Sequence, residues 1–97
     1  MAYSYTQLQE IKTRIVNELS AQQTLITTGK GIFAGIASKL TGMQSTYAGW
    51  ATEVNSMATA NPTDDAIIAL KAERDLLVAE FASSKTEAND LNTAVNT

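Results

Sequence analysis

Residues 33–57 read FAGIASKLTGMQSTYAGWATEVNSM, and a seven-residue period runs through them twice, in opposite chemistries. Phe33, Ile36, Leu40, Met43, Tyr47, Trp50, Val54 and Met57 step by three and four without a miss. That spacing gathers large apolar side chains on one stripe of an α-helix. A second stripe, Gly35, Ser38, Gly42, Ser45, Gly49, Thr52, Ser56 and Thr59, keeps the same period on the other side. A glycine inside a helix costs about 1 kcal/mol relative to alanine, so three of them at a fixed interval need a reason. Small residues at helical spacing let two backbones approach closely. The pattern predicts a helix with one side turned to a core and the other built for close contact with a helix of the same fold or of another copy.

The flanking segments read as two more helices. Ser4 and Gln7 form a capping box ahead of the apolar row Leu8, Ile11, Ile15, Leu19 and Ile26, which Val16 and Leu25 widen. Thr27-Thr28-Gly29-Lys30-Gly31 ends this first helix, with a glycine able to take the left-handed conformation. The central helix, about residues 32–59, carries only Lys39 and Glu53 as charges, which predicts that it is covered on more than one side. Asn61-Pro62-Thr63-Asp64-Asp65 is the clearest punctuation in the chain. Asn61 or Thr63 suits an N-cap, Pro62 the first turn, and the aspartates the positive helix end. A third helix then carries Ile67, Leu70, Arg74, Leu77, Phe81, Ser84, Ala88, Leu91 and Val95 in a heptad-like row, with Arg74 and Ser84 interrupting it. Its tail from Asn92 is expected to fray. The fold expected is all-α: one domain over 1–97 with three long helices, about 4–28, 32–59 and 63–94, in a bundle or extended hairpin with heptad-type packing.

Composition narrows the function classes. The 97 residues contain no cysteine and no histidine, and only 18% are charged, below the usual quarter. The thiol nucleophile, the usual general base and the usual zinc ligands are therefore all missing. The net charge of −3 is unevenly placed, +1 over residues 1–60 and −4 over 61–97. An acidic chain without a basic cluster is a poor match for nucleic acid. The start of the chain lacks the basic and apolar regions of a signal peptide. The longest uncharged stretch of the central segment, Leu40–Thr52, is also short of the ~20 apolar residues of a membrane span.

Three short patterns carry possible chemistry, and each has a plainer reading. Gly29-Lys30-Gly31 resembles part of a phosphate loop, but Thr24 stands where that motif has its first glycine and Gly31 where it has Ser or Thr. It reads as a helix-ending turn. Asp64 and Asp65 are paired carboxylates accounted for by a helix start. Glu73, Glu80 and Glu87 recur every seven residues at the position that sets partner choice in coiled coils. They form either a solvated flank or an acidic docking edge for a basic partner. The corresponding flank of the central helix, Lys39, Thr46 and Glu53, offers them little, so such a partner would be another chain. Trp50 with Tyr47 reads as core rather than as a ligand site.

Three resemblances bear on role. Pro62-Thr63-Asp64-Asp65-Ala66-Ile67-Ile68-Ala69-Leu70 is similar to the turn and second-helix start of type III secretion needle subunits, small helical hairpins that polymerise. The length and mid-chain tryptophan are similar to the WXG100 class of secreted helical hairpins, although the order Gly49-Trp50-Ala51 lacks the Trp-x-Gly turn. Over its whole length the chain resembles small all-α virion proteins of tailed phages, which are rich in Ala, Thr, Asn and Gln and sparsely charged. That last resemblance implies a non-enzymatic assembly protein of a phage particle, located in the virion. The expectation is protein partners or self-association, with no cofactor, metal, nucleic acid or small-molecule substrate. A secretion filament subunit or a soluble helical adaptor is the alternative.

Overall fold

The computed structural model describes residues 3–96 and consists of three α-helices, α1 (Tyr5–Thr28), α2 (Phe33–Ala60) and α3 (Asp65–Val95). Each boundary has a local cause. At the start of α1, Ser4 Oγ accepts from the Gln7 backbone N–H (3.1 Å) and Gln7 Oε1 accepts from the Ser4 N–H (2.8 Å), completing the capping box. At its end Gly29 adopts φ 68°, ψ 19°. Its N–H donates to the Ile26 carbonyl while that of Lys30 reaches back to Leu25. This is a Schellman closure, which an L side chain at Gly29 would strain.

The start of α3 differs from expectation. The N-cap is Asp64, whose Oδ1 accepts from the N–H groups of Ala66 (3.0 Å) and Ile67 (3.3 Å). Neither Asn61 nor Thr63 holds that place. Asn61 instead closes α2, its N–H and its side-chain amide both donating to the Met57 carbonyl. Pro62 lies in the turn before the helix rather than in its first turn. The turn ends at Asp64, so its carboxylate is the group in reach of the first amides of α3, where it also meets the positive end of the helix. At the other end α3 is helical to Val95, where the Asn96 N–H bonds back to Asn92 and Thr93; Thr97 lies outside the described residues.

The core runs the length of the molecule. Leu8, Ile15, Leu19 and Ile26 from α1 meet Ile36, Leu40, Met43, Trp50 and Val54 from α2 and Leu70, Leu77, Phe81 and Ala88 from α3. Two apolar positions assigned to the stripes leave it, Val16 because it lies at the margin of its stripe and Val95 because it is the last residue of α3. Val16 is 40% exposed and Val95 70%. Of the two interruptions in the α3 row, Ser84 is buried and accepts from Gln23 Nε2 at 3.2 Å. Arg74 stays half-buried at the surface.

α2 and α3 form the closely packed pair, and α1 lies along them through a smaller interface. Its position is keyed by side chains that cross between helices. Trp50 Nε1 donates to the Leu8 carbonyl (2.9 Å), Tyr47 Oη donates to Glu18 Oε2 (3.0 Å), and Lys12 pairs with Glu73. The resulting rod measures 50 × 19 × 19 Å with a radius of gyration of 15.2 Å, against roughly 13 Å for a compact domain of 100 residues. No helix is long and apolar enough to cross a membrane among the described residues.

Candidate assembly surfaces

The two stripes of α2 meet different fates. Ile36, Leu40, Met43, Trp50 and Val54 are buried, and Phe33, Tyr47 and Met57 pack against them at the margin. Gly35, Ser38, Gly42, Ser45, Gly49 and Thr52 are all exposed. A Cβ added at Gly35, Gly42 or Gly49 would meet nothing within 4 Å. Neither α1 nor α3 makes a close contact at these glycines. The expectation that α2 is covered on two sides fails within the single chain, because both other helices pack on its apolar side.

The uncovered side of α2 is unusual water-facing surface. Lys39 is its one exposed charge, Glu53 being half-buried. Solvent-facing helix surface normally carries many charges. The threonine hydroxyls here turn inward to their own helix. Thr41, Thr46, Thr52 and Thr59 donate to the carbonyls of Ala37, Gly42, Ala48 and Asn55 at 2.9–3.2 Å. Hydroxyls satisfied in this way compete less for water, which lowers the cost of drying this surface against another helix.

Six of the nine charges of α3 lie on two edges, while Asp65, Asp75 and Asp90 lie on the outer side between them, Asp75 beside the basic edge. At 100° per residue, Lys71, Arg74 and Lys85 lie within an arc of about 60°, and Glu73, Glu80 and Glu87 within another of about 40° on the far side. The acidic edge faces α1. Glu73 pairs there with Lys12, so the expectation that any partner of this row lies on another chain is corrected for Glu73. Glu80 and Glu87 stay exposed. The basic edge borders α2 instead, where Lys85 Nζ donates to Gln44 Oε1 across the seam (3.1 Å).

Between the basic edge and α2 lies a cleft of about 310 Å³. Ile15, Trp50, Leu77 and Phe81 form its apolar floor, and Ala48, Thr52 and Val78 its rim. Among the described residues, Arg74 is the only charged one lining it. The guanidinium Nη1 bonds Asp75 at 2.6 Å, while Nε is buried with no hydrogen-bond partner. Farther along the same seam a shallower groove is lined by Ala34, Ala37, Ser38, Thr41, Lys85 and Asn89. Ser38 and Thr52 thus belong both to the small-residue stripe and to this seam, and the two surfaces are continuous. Periodicity shows the stripe but not the cleft, which depends on how far apart two helices sit.

The residues considered for chemistry have structural duties. Asp64 caps α3, Gly29 closes α1, and Tyr47 and Trp50 tie α2 to α1. Burial, then the hydrogen bond and charge of Glu18, raise the Tyr47 phenol above its ordinary pKa, with Arg14 acting in opposition. Trp50 lies within α2 rather than at a hairpin turn. No group of three or more His, Cys, Asp or Glu that could hold a metal ion occurs among the described residues. No protein-family model, curated protein or solved structure matches the chain.

Proposed function

We propose that this chain is a non-enzymatic structural subunit whose role is to be packed against: a small helical component of a larger assembly, in the first instance a phage particle, as a capsid accessory, connector or tail-associated protein. The observation that carries the proposal is the outer side of α2, where Gly35, Gly42 and Gly49 stand exposed with open space over each Cα. Each glycine weakens the isolated helix, so the isolated chain gains nothing from them. A neighbouring helix laid on this side gains close backbone approach, and the inward-turned threonine hydroxyls reduce what it must desolvate. The phage setting is favoured by the whole-length resemblance in composition and by the absence of any cysteine or histidine.

The test combines particle composition with mutagenesis. Mass spectrometry of purified particles from the source phage is expected to find the chain at a fixed copy number. The triple variant Gly35→Leu/Gly42→Leu/Gly49→Leu is expected to fold, since each leucine points into open space, yet to be excluded from the assembly. Incorporation at wild-type level would show that this side faces water in the assembled state and would overturn the proposal.

A further inference from the structure

Two features on opposite edges of α3 match each other. On the acidic edge, Leu76 is 66% exposed, and Glu80 follows four residues later, on the same helix face. They border a shallow groove with Val16, itself 40% exposed. Together they put two apolar side chains beside a carboxylate on one exposed edge. On the basic edge is the cleft already described, with its apolar floor and Arg74 at its wall.

The polar groups of the cleft define what it lacks. Trp50 Nε1 is engaged by the Leu8 carbonyl, the Tyr47 hydroxyl by Glu18, the Thr52 hydroxyl by the Ala48 carbonyl, and Gln44 Oε1 by Lys85. Among the described residues, Arg74 Nε is the one buried side-chain nitrogen or oxygen without a partner. The guanidinium already bonds Asp75 through Nη1, and its remaining N–H groups at the wall of an apolar cleft suit an occupant with an apolar body and an anionic acceptor beside it.

We propose that the occupant is a second copy of this chain, whose Leu76 enters the apolar cleft while its Glu80 carboxylate accepts from the Arg74 guanidinium. Lys71 and Lys85 extend the basic edge and Glu87 extends the acidic one, so the charge match continues beyond the central pair. The two surfaces differ and lie on different sides of one helix, which makes the contact heterologous. Each copy uses its acidic edge on one neighbour and its basic edge on the next, giving a ring or a filament. This deepens the assembly reading and rests on it, but it concerns a different contact from the glycine side of α2.

Sedimentation equilibrium of the full chain tests the pairing. Wild type is expected to self-associate more weakly as salt rises. Arg74→Glu and Glu80→Arg are each expected to weaken association at least about tenfold. Mixing those two variants, or combining them in one chain, is expected to restore it, because each restores opposite charges across the contact. Leu76→Ser should weaken association without changing the helical circular dichroism, since Leu76 makes little contact with its own core. The pairing is overturned by wild-type association in the single variants or by no recovery in the mixture. It is overturned equally by a wild type that stays monomeric, including one that binds decanoate saturably through Arg74, which would assign the cleft to a small amphiphilic carboxylate. None of these outcomes touches incorporation of the Gly35/Gly42/Gly49 variant into particles, so the broader assembly reading stands or falls separately.

Discussion

Trp50 shows how one residue can serve both packing and register. Its indole fills the core while Nε1 donates to the Leu8 carbonyl on α1. Because that bond ends on backbone, it sets the height of α1 along α2 whatever side chain stands at Leu8. Replacing Trp50 by Phe keeps an aromatic ring but removes the donor and leaves a void. The expected loss is about 1–2 kcal/mol in urea unfolding followed by circular dichroism; an unchanged midpoint would mean that the bond contributes nothing. Tyr47 makes a second tie, and this one depends on pH. Its phenol is raised above 10.0 in the folded chain, chiefly by burial and then by Glu18. The folded state therefore holds that proton more tightly than the unfolded state does. The resulting stabilisation is complete below the unfolded pKa and is lost as pH rises through the folded one. The melting-temperature advantage of wild type over Tyr47→Phe should be constant from neutral pH up to about pH 10 and shrink above it.

At the scale of the element, α2 is a helix whose sequence opposes its own stability in exchange for a smooth outer side. Gly35→Ala, Gly42→Ala and Gly49→Ala each place a methyl group in open space, so each should stabilise the isolated chain by about 0.5–1 kcal/mol. Gly29→Ala should do the reverse. Its φ of 68° lies in the left-handed region, where a Cβ costs about 1–2 kcal/mol. Thermal unfolding of the four single variants separates glycines that the fold requires from glycines that it does not. Destabilisation at the three α2 positions would place them in a constrained site within the monomer. The helix ends were legible in the sequence to within a residue or two, since Ser4, Gln7 and Gly29 act through neighbours along the chain. The cap of α3 was less so. Asn61, Thr63 and Asp64 all offer a suitable oxygen, and only the path of the turn decides which one reaches the amides of Ala66 and Ile67.

At the scale of the whole molecule, the closely packed α2–α3 pair carries α1 along one side. The polar ties of α1 are few, and Lys12–Glu73, Gln23–Ser84 and Tyr47–Glu18 are all partly exposed. The Lys12–Glu73 pair contributes little, so α1 is held mainly by its apolar row and by the buried Trp50–Leu8 bond, through a smaller interface than the one joining α2 and α3. α1 is therefore expected to detach before the hairpin unfolds, exchanging its amide hydrogens through a lower-energy opening than the amides of α2 and α3. Native-state hydrogen exchange checks this, and uniform protection across the three helices would show a single cooperative unit. A rod with a surface of 5910 Å² exposes more than the roughly 5400 Å² expected of a compact monomer of its mass. An elongated body leaves long edges exposed along its length.

The sequence alone determined the three helices, their caps at Ser4 and Gly29, and the apolar seam from Phe33 to Met57, because each depends on contacts a few residues apart or on a fixed helical period. It also marked Gly35, Gly42 and Gly49 as a second side, but periodicity orders residues around one helix and is blind to what lies opposite. Only the packing of α1 and α3 on the apolar side showed that the glycines remain open. The ion pair of Glu73 with Lys12 and the cleft beside Arg74 have the same origin. They join residues far apart in the chain, and their existence rests on the distance and rotation between helices, which no spacing within a single helix records.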